Sequence, residues 1–455
     1  MKQAEKEEFI LNKSQLSDFF HSGNKPESEF KIGLEFEKPG INMLDFKAVP
    51  YFGENGILEF LKKYRNFENS SFITEDEHIL GLKNSLGSIT LEPGSQFEIG
   101  LLPQKNIHEI FDRLTRYNRI TAELAEEFNI YWLGYGIQPL STYQNIDLIP
   151  KKRYGIMAEY LPLVGDKSPV MMRETAGIQV SVDYKSPEDA INKLKVSLGI
   201  SPIITAMFAN SPIRNGMDTG YKTFRASSWL STDNARCGLI SEKIFESGSY
   251  DFNFNDYVNI LLDLPMMFLK KEGKWINMRG LPFRNYLDSG YQCYRATVDD
   301  WLLHINSFFP DVRLNNYLEI RNCDCQRSDL IFANPALWKG IIYNSEALDA
   351  AWALVKDFTW ESRAELRNSV PKYALDTLVR GKKVSDLAKE LVNIADCSLK
   401  LMAEANLKNQ DESVYLDNLK ELLSESKTPA DKILELWHAG WNKDLSKLAE
   451  YTRLT

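Results

Sequence analysis

The sequence predicts an α+β fold: an antiparallel β-sheet with helices on its outer face and the other face left open, followed by a helical C-terminal part. Three patterns carry that expectation. Four separate stretches alternate apolar and polar residues at the two-residue period of a half-buried strand. Stretches between them repeat apolar residues at helical spacing, and from about residue 335 the helical pattern runs to the end.

Taken in order, residues 8–21 read as an amphipathic helix with Phe9, Leu16, Phe19 and Phe20 available to pack. Residues 30–37 then alternate, Ile32, Leu34 and Phe36 against Gly33, Glu35 and Glu37. Residues 55–64 and 106–128 are helical in pattern, the second with Asn106 and Glu109 spaced as a capping pair. Residues 85–102 read as an extended strand with Glu92, Gly94, Gln96 and Glu98 on one face and Ile89, Leu91, Phe97 and Ile99 on the other. Residues 131–137 form a short aromatic strand whose Gly134 and Gly136 are too isolated to be a nucleotide fingerprint. Lys151, Lys152 and Arg153 open a short helix, and the cluster reads either as a solvated charge run or as a clamp for a carboxylate or phosphate.

Residues 177–184 alternate again, with Ile178, Val180 and Val182 against Gly177, Gln179, Ser181 and Asp183. Ser186-Pro187 starts the next helix, Pro falling where its missing N–H costs nothing. Arg225 and Arg236 bracket Trp229 and Asp233, and residues 312–322 carry Tyr317, Glu319 and Arg321 on one face of a strand. Near the end, Thr428-Pro429 opens a helix with Ala430, Ile433, Leu434 and Trp437 as its buried stripe.

The chain has 455 residues, 44% apolar and 26% charged, with a formal charge of −9. That balance fits a folded protein and argues against a nucleic-acid or anionic-membrane partner, which would need clustered Lys and Arg. A small-molecule partner is expected instead. No apolar run approaches the roughly 18 residues of a membrane span, and the charged N-terminus has no apolar leader, which predicts a cytoplasmic protein. Five scattered Cys make no disulfide framework, and Cys323 and Cys325, with no His nearby in sequence, read as ordinary thiols.

On a single sheet, Glu35, Glu37, Glu92, Glu98 and Glu319 would share the open face. An acidic row can be mere solvated surface. Five carboxylates gathered together, however, cannot all stay ionised without cations, and Mg²⁺ with a nucleotide accounts for them economically. Arg153, Arg225, Arg236 and Arg321 would then neutralise phosphate oxygens or grip a substrate carboxylate. No Walker-type phosphate loop is present. A glycosidase using two of the carboxylates is the alternative from another enzyme class.

Seven ordered motifs carry a resemblance. Lys31-Ile-Gly-Leu-Glu-Phe-Glu-Lys38, Leu91-Glu-Pro-Gly-Ser-Gln-Phe-Glu98, Arg153-Tyr-Gly-Ile-Met157, the strand from Thr175 to Asp183, Ala209-Asn-Ser-Pro212, the segment from Arg225 to Arg236, and Tyr317-Leu-Glu-Ile-Arg321 resemble the glutamate–cysteine ligases of the plant and proteobacterial type. The similarity continues to Thr428-Pro-Ala-Asp431, so it covers nearly the whole chain. It implies a glutamine-synthetase-like fold with a curved sheet, and one catalytic domain over residues 1–455. The sheet and active-site region would span about 25–330 and the mostly helical region about 335–455.

The implied reaction is Mg²⁺- and ATP-dependent joining of the γ-carboxyl of glutamate to the amine of cysteine through a γ-glutamyl phosphate, the first step of glutathione synthesis. The partners implied are glutamate, cysteine and ATP, bound by a monomer or homodimer. By motif, Glu35, Glu37, Glu92, Glu98 and Glu319 are the implied Mg²⁺ ligands. Arg153 and Arg225 would hold glutamate carboxylates against Trp229, and Tyr154, Met157, Thr175 and Gln179 would line the substrate cleft. Arg236 and Arg321 would serve catalysis at the phosphates, with Gln96 also on the nucleotide.

The chain departs from plant members at Thr175-Ala-Gly-Ile-Gln179, where they have Thr-Cys-Thr-Val-Gln, and at Phe36, where they have His. Both changes fall near the implied acceptor side, which keeps a different amino acid or amine open as acceptor. Cys293 stands at one half of the plant redox hairpin but Asn277 occupies the region of its partner, so no such switch is expected.

Overall fold

The computed structural model describes residues 8–67, 69–246 and 252–455. Its centre is an antiparallel sheet of eight strands: β1 (Ile32–Lys38), β2 (Ser71–Glu75), β3 (His78–Lys83), β4 (Gly87–Leu91), β5 (Phe97–Leu101), β6 (Gly177–Val182), β7 (Val312–Leu314) and β8 (Leu318–Asp324). They lie in the order β7-β8-β6-β1-β5-β4-β3-β2.

Two stretches expected to be single strands are hairpins. Residues 85–102 supply β4 and β5, because Pro93 cannot donate to a ladder and Ser95 takes a left-handed φ of 70°. The turn is closed by Ser95 N donating to Glu92 O at 2.9 Å and Glu92 N to Gln96 O at 3.0 Å. Glu92 and Gln96 are an even number of residues apart, so the face assignment survives the turn: Thr90 pairs with Glu98, and Leu91 with Phe97. Residues 312–322 likewise divide into β7 and β8, with Arg313 opposite Glu319.

β8 carries a bulge. Its register against β6 slips by one residue between Ile320 and Cys323. Before the slip Glu319, opposite Ser181, lies on the open face. Beyond it Asp324, opposite Gly177, takes that face, and Cys323, opposite Ile178, turns into the core.

The apolar face is fully buried at Ile32, Leu34, Phe36, Ile89, Phe97, Ile99, Ile178, Val180 and Val182. Each such side chain contributes roughly 1.5–3 kcal/mol relative to exposure. The helix Pro187–Met207, capped by Ser186 Oγ accepting from Asp189 N, packs across this face, with Ala333–Ile342 and Val384–Met402 among the helices behind. One charge lies among the apolar groups. Lys38 donates to Asn118 Oδ1 at 3.1 Å and Thr121 Oγ1 at 2.8 Å, and burial pushes its pKa down to about 7.

The N-terminal helix is shorter than its pattern. It spans Ser14–His21, because Asn12 Oδ1 accepts from the N–H groups of Ser14 and Gln15 and ends the helix there, while Phe9 bridges to Thr297. The aromatic strand expected at 131–137 shrinks to Ile130–Trp132, paired with Gly40–Asn42.

Candidate active site

The open face of the sheet floors a cleft of about 230 Å³. Across the strands Glu37 lies opposite Glu98 and Glu35 opposite Gln179. Burial first, then the charge of Glu319, pushes the Glu35 carboxyl up to about 7. Burial together with Glu35, Glu92 and Glu37 raises Glu98 well above the ordinary range. Burial and Glu92 raise Glu37, although Arg225, Arg321 and the Gly177 N–H oppose the rise. All three carboxyls are therefore harder to ionise than free glutamates, and a cation among them would relieve the crowding.

A chain of hydrogen bonds links this acidic floor to the arginines. Glu37 accepts from Gly177 N at 2.6 Å and from Gln179 Nε2 at 3.0 Å, and Gln179 Oε1 accepts from Arg321 Nη1 at 2.7 Å. Arg321 also donates to Glu319, whose two oxygens receive Arg313 Nη2. Burial alone would raise the pKa of Glu319, but Arg313 and Arg321 outweigh it and hold it low.

The remaining walls come from short helices. Lys152–Tyr160 brings Arg153, Tyr154 and Met157 to the cleft, with the Tyr154 hydroxyl 3.3 Å from Glu92 Oε1. Phe224–Trp229, capped by Thr223, brings Arg225 and Trp229. Thr175 lines the cleft at the end of the Ser168–Glu174 helix, its hydroxyl donating to Met171 O. The buried Nε atoms of Arg153, Arg225 and Arg313 and the Nε1 of Trp229 meet no acceptor among the described residues. The cleft thus holds crowded carboxyls and unanswered N–H donors side by side.

Two residues expected at the nucleotide stand differently. Arg236 is fully buried and is not among the residues that line the cleft. Its guanidinium is used up holding Asp233 Oδ2 at 2.5 Å, Ser307 O at 2.9 Å and Pro265 O at 2.8 Å, so it braces the wall from behind. Gln96 does line the cleft, but its Oε1 accepts from Gly94 N, and its Nε2 donates to the carbonyls of Met172 and Thr175. Arg313, Met171, Met172 and Phe268 line the cleft without having been expected there. Arg313 shares the odd-numbered face of Glu319 and Arg321, so strict alternation carried back through residue 313 would have found it.

Past Glu35 the trough continues over Gly33, Ser88, Gly100 and Ser181, where small side chains leave a hollow lined also by Lys25, Lys31 and Lys83. Among the described residues no three His, Cys, Asp or Glu side chains form a ready-made metal shell. Mg²⁺ takes few protein carboxylates and keeps waters and substrate phosphates, so an all-oxygen floor under mutual repulsion fits that ion.

The solved glutamate–cysteine ligase of Francisella tularensis in complex with AMP superposes with a TM-score of 0.53 at 13% identity, over 94% of this chain and 89% of that one. The two share one fold class, an antiparallel sheet backed by helices. Within that class the chain belongs to glutamate–cysteine ligase family 2 (GCS2), which residues 31–449 match, and it is an ATP-dependent ligase. The chloroplastic glutamate–cysteine ligase of Nicotiana tabacum is 33% identical over 443 residues, 97% of this chain and 82% of that protein. That of Medicago truncatula is 33% identical over 438 residues, 96% and 84% of the two chains. These names overturn the cytoplasmic expectation, since the relatives are chloroplastic proteins. Among the described residues no helix is long and apolar enough to cross a membrane.

Proposed function

We propose that the protein joins the γ-carboxyl of glutamate to the amine of cysteine, with ATP as the energy source and Mg²⁺ as cofactor, as one catalytic unit over the whole chain. The observation that carries this reading is that crowded buried carboxyls and buried N–H donors without acceptors line one cleft. The names of the relatives, all glutamate–cysteine ligases, support the same substrates.

In this reading Arg153 and Arg225 hold the carboxylates of glutamate, Trp229 walls the pocket, and the nucleotide lies over the small-residue hollow with its phosphates toward Arg321. Glu35, Glu37, Glu92 and Glu98 hold Mg²⁺, which offsets the charge of the phosphate oxygens. Glu319 joins them only when Arg313 or Arg321 turns from it to substrate. The γ-carboxylate attacks the terminal phosphorus of ATP and releases ADP. The amine then attacks the acyl carbon, phosphate leaves, and the ammonium proton passes to a phosphate oxygen. Arg321 and the walls around it stabilise the transferring group and keep water from the acyl phosphate.

Met157, Met171, Met172 and Phe268 give the cleft an apolar wall that suits the side chain of cysteine and would also admit another small amino acid. Mass spectrometry of the product from glutamate, Mg²⁺-ATP and an equimolar amino-acid mixture tests both readings. γ-Glutamylcysteine with glutamate-dependent ADP release is expected. A γ-glutamyl product of another amino acid overturns the acceptor, and ADP release independent of glutamate overturns the donor.

A further inference from the structure

The bulge in β8 sets a buried carboxylate behind one arm of the cleft. Asp324 is 2% exposed and accepts from Asn210 N at 2.9 Å, Ser211 Oγ at 2.7 Å and Thr223 Oγ1 at 2.8 Å. Each of the two hydroxyls also touches the segment that carries Arg225. Ser211 Oγ accepts from Arg225 N at 3.2 Å, and Thr223 Oγ1 accepts from Ala226 N at 3.0 Å as the helix cap. Asp324 Oδ1 lies 3.9 Å from Arg225 Nη1, while Arg225 Nη2 donates to Arg321 O at 3.1 Å. The space for the guanidinium comes from Gly177, directly across the ladder from Asp324, where a Cβ would stand 2.4 Å from Arg225 Nη2.

We infer that Asp324 is the positioning residue for Arg225: through Ser211 and Thr223 it fixes the backbone, and through its charge the guanidinium, so that Arg225 meets the substrate carboxylate without rearranging. The inference rests on the reading of Arg225 as a carboxylate grip. An Arg held by one carbonyl and a neighbouring charge keeps donors for a ligand, whereas one spread over a carboxylate and two carbonyls does not, as Arg236 demonstrates. The Asn210-Ser211 motif thereby gains a purpose that sequence alone did not assign, since both residues present donors to Asp324.

The test is steady-state kinetics on the full chain, with glutamate and ATP varied separately. Asp324→Asn keeps the shape and removes the charge. It is expected to raise KM for glutamate about tenfold while KM for ATP stays within about twofold. Unchanged KM for glutamate, or equal rises for both substrates, overturns the inference. In an Arg225→Gln background the Asp324→Asn effect should vanish, and an effect that multiplies through unchanged also overturns it. If Asp324→Asn does not fold, the pair Thr223→Val and Thr223→Ser decides. Valine should raise KM for glutamate selectively and serine should restore it, and equal behaviour of the two overturns the inference. Glutamate-independent turnover of the unsubstituted protein, or an unchanged KM for glutamate in Arg225→Gln alone, would instead overturn the reading of Arg225.

Discussion

Arg313 Nη2 sits 2.8 and 2.7 Å from the two carboxylate oxygens of Glu319, the residue directly across the ladder from it. Both side chains are almost wholly buried. Removing one partner of a buried pair costs about 3–5 kcal/mol, and because Arg321 still faces Glu319 the lower end applies. Arg313→Gln should therefore lose about 3 kcal/mol in urea unfolding. A loss under about 1 kcal/mol would mean that Arg321 neutralises Glu319 alone.

Glu92→Ala and Glu98→Gln address the acidic floor. Each should cut turnover by about 100-fold or more, since transition-state charge loses its counter-ion. Neither should destabilise the unliganded protein, and Glu98→Gln should raise its melting temperature, because a carboxyl crowded by Glu35, Glu92 and Glu37 becomes neutral. Addition of Mg²⁺ should raise the melting temperature of the unsubstituted protein more than that of Glu98→Gln. Near-normal turnover in both variants would remove the floor from the mechanism.

Arg236→Gln separates a brace from a phosphate contact. With its donors on Asp233, Ser307 and Pro265, Arg236 should register in stability. The variant should melt several degrees lower, while its folded fraction keeps KM for ATP. A raised KM for ATP with an unchanged melting temperature would restore Arg236 to the nucleotide.

His304 sets a pH limit on the fold. Its ring stacks on Phe283 at 4.8 Å and its Nε2 lies 2.8 Å from Leu261 O. Burial, aided by the charge of Arg236 although the Leu261 carbonyl opposes it, takes its pKa from 6.5 down to about 3. Between those values the unfolded chain binds a proton that the folded chain refuses. Its contribution to stability is therefore complete above pH 6.5 and declines as the pH falls toward 3, by up to about 1.4 kcal/mol per pH unit. His304→Gln should show a shallower acid decline of the urea midpoint between pH 6 and pH 4, and an unchanged slope would refute the assignment.

Much of this site was legible because alternation is indifferent to how a strand turns. Glu92 and Glu98 stayed on one face although Pro93 broke their strand in two, and Arg313 and Glu319 kept theirs across the β7–β8 turn. Alternation fails where the count changes. Read strictly, β8 would aim Asp324 into the core, and only the bulge, which no residue type announces, turns it to the open face, behind Arg225. Arg236 was unreadable for a different reason: its charge and its place in a motif look the same whether its donors face a ligand or three neighbours of its own chain.

The same bulge bears on what else could react in the cleft. In the reaction proposed above, an activated γ-glutamyl group would be open to any nucleophile within reach, and an enzyme offering it to a thiol-bearing amino acid would risk acylating itself. Cys323 faces the core because of the slip in β8, Cys325 is buried two residues on, and burial raises both thiols so that they stay protonated. A β8 of the same length paired without the slip would set Cys323 opposite Gly177 and so exchange a carboxylate for a sulfhydryl on the reacting face. The irregularity in β8 is in that sense a safeguard against self-modification, built from backbone geometry alone.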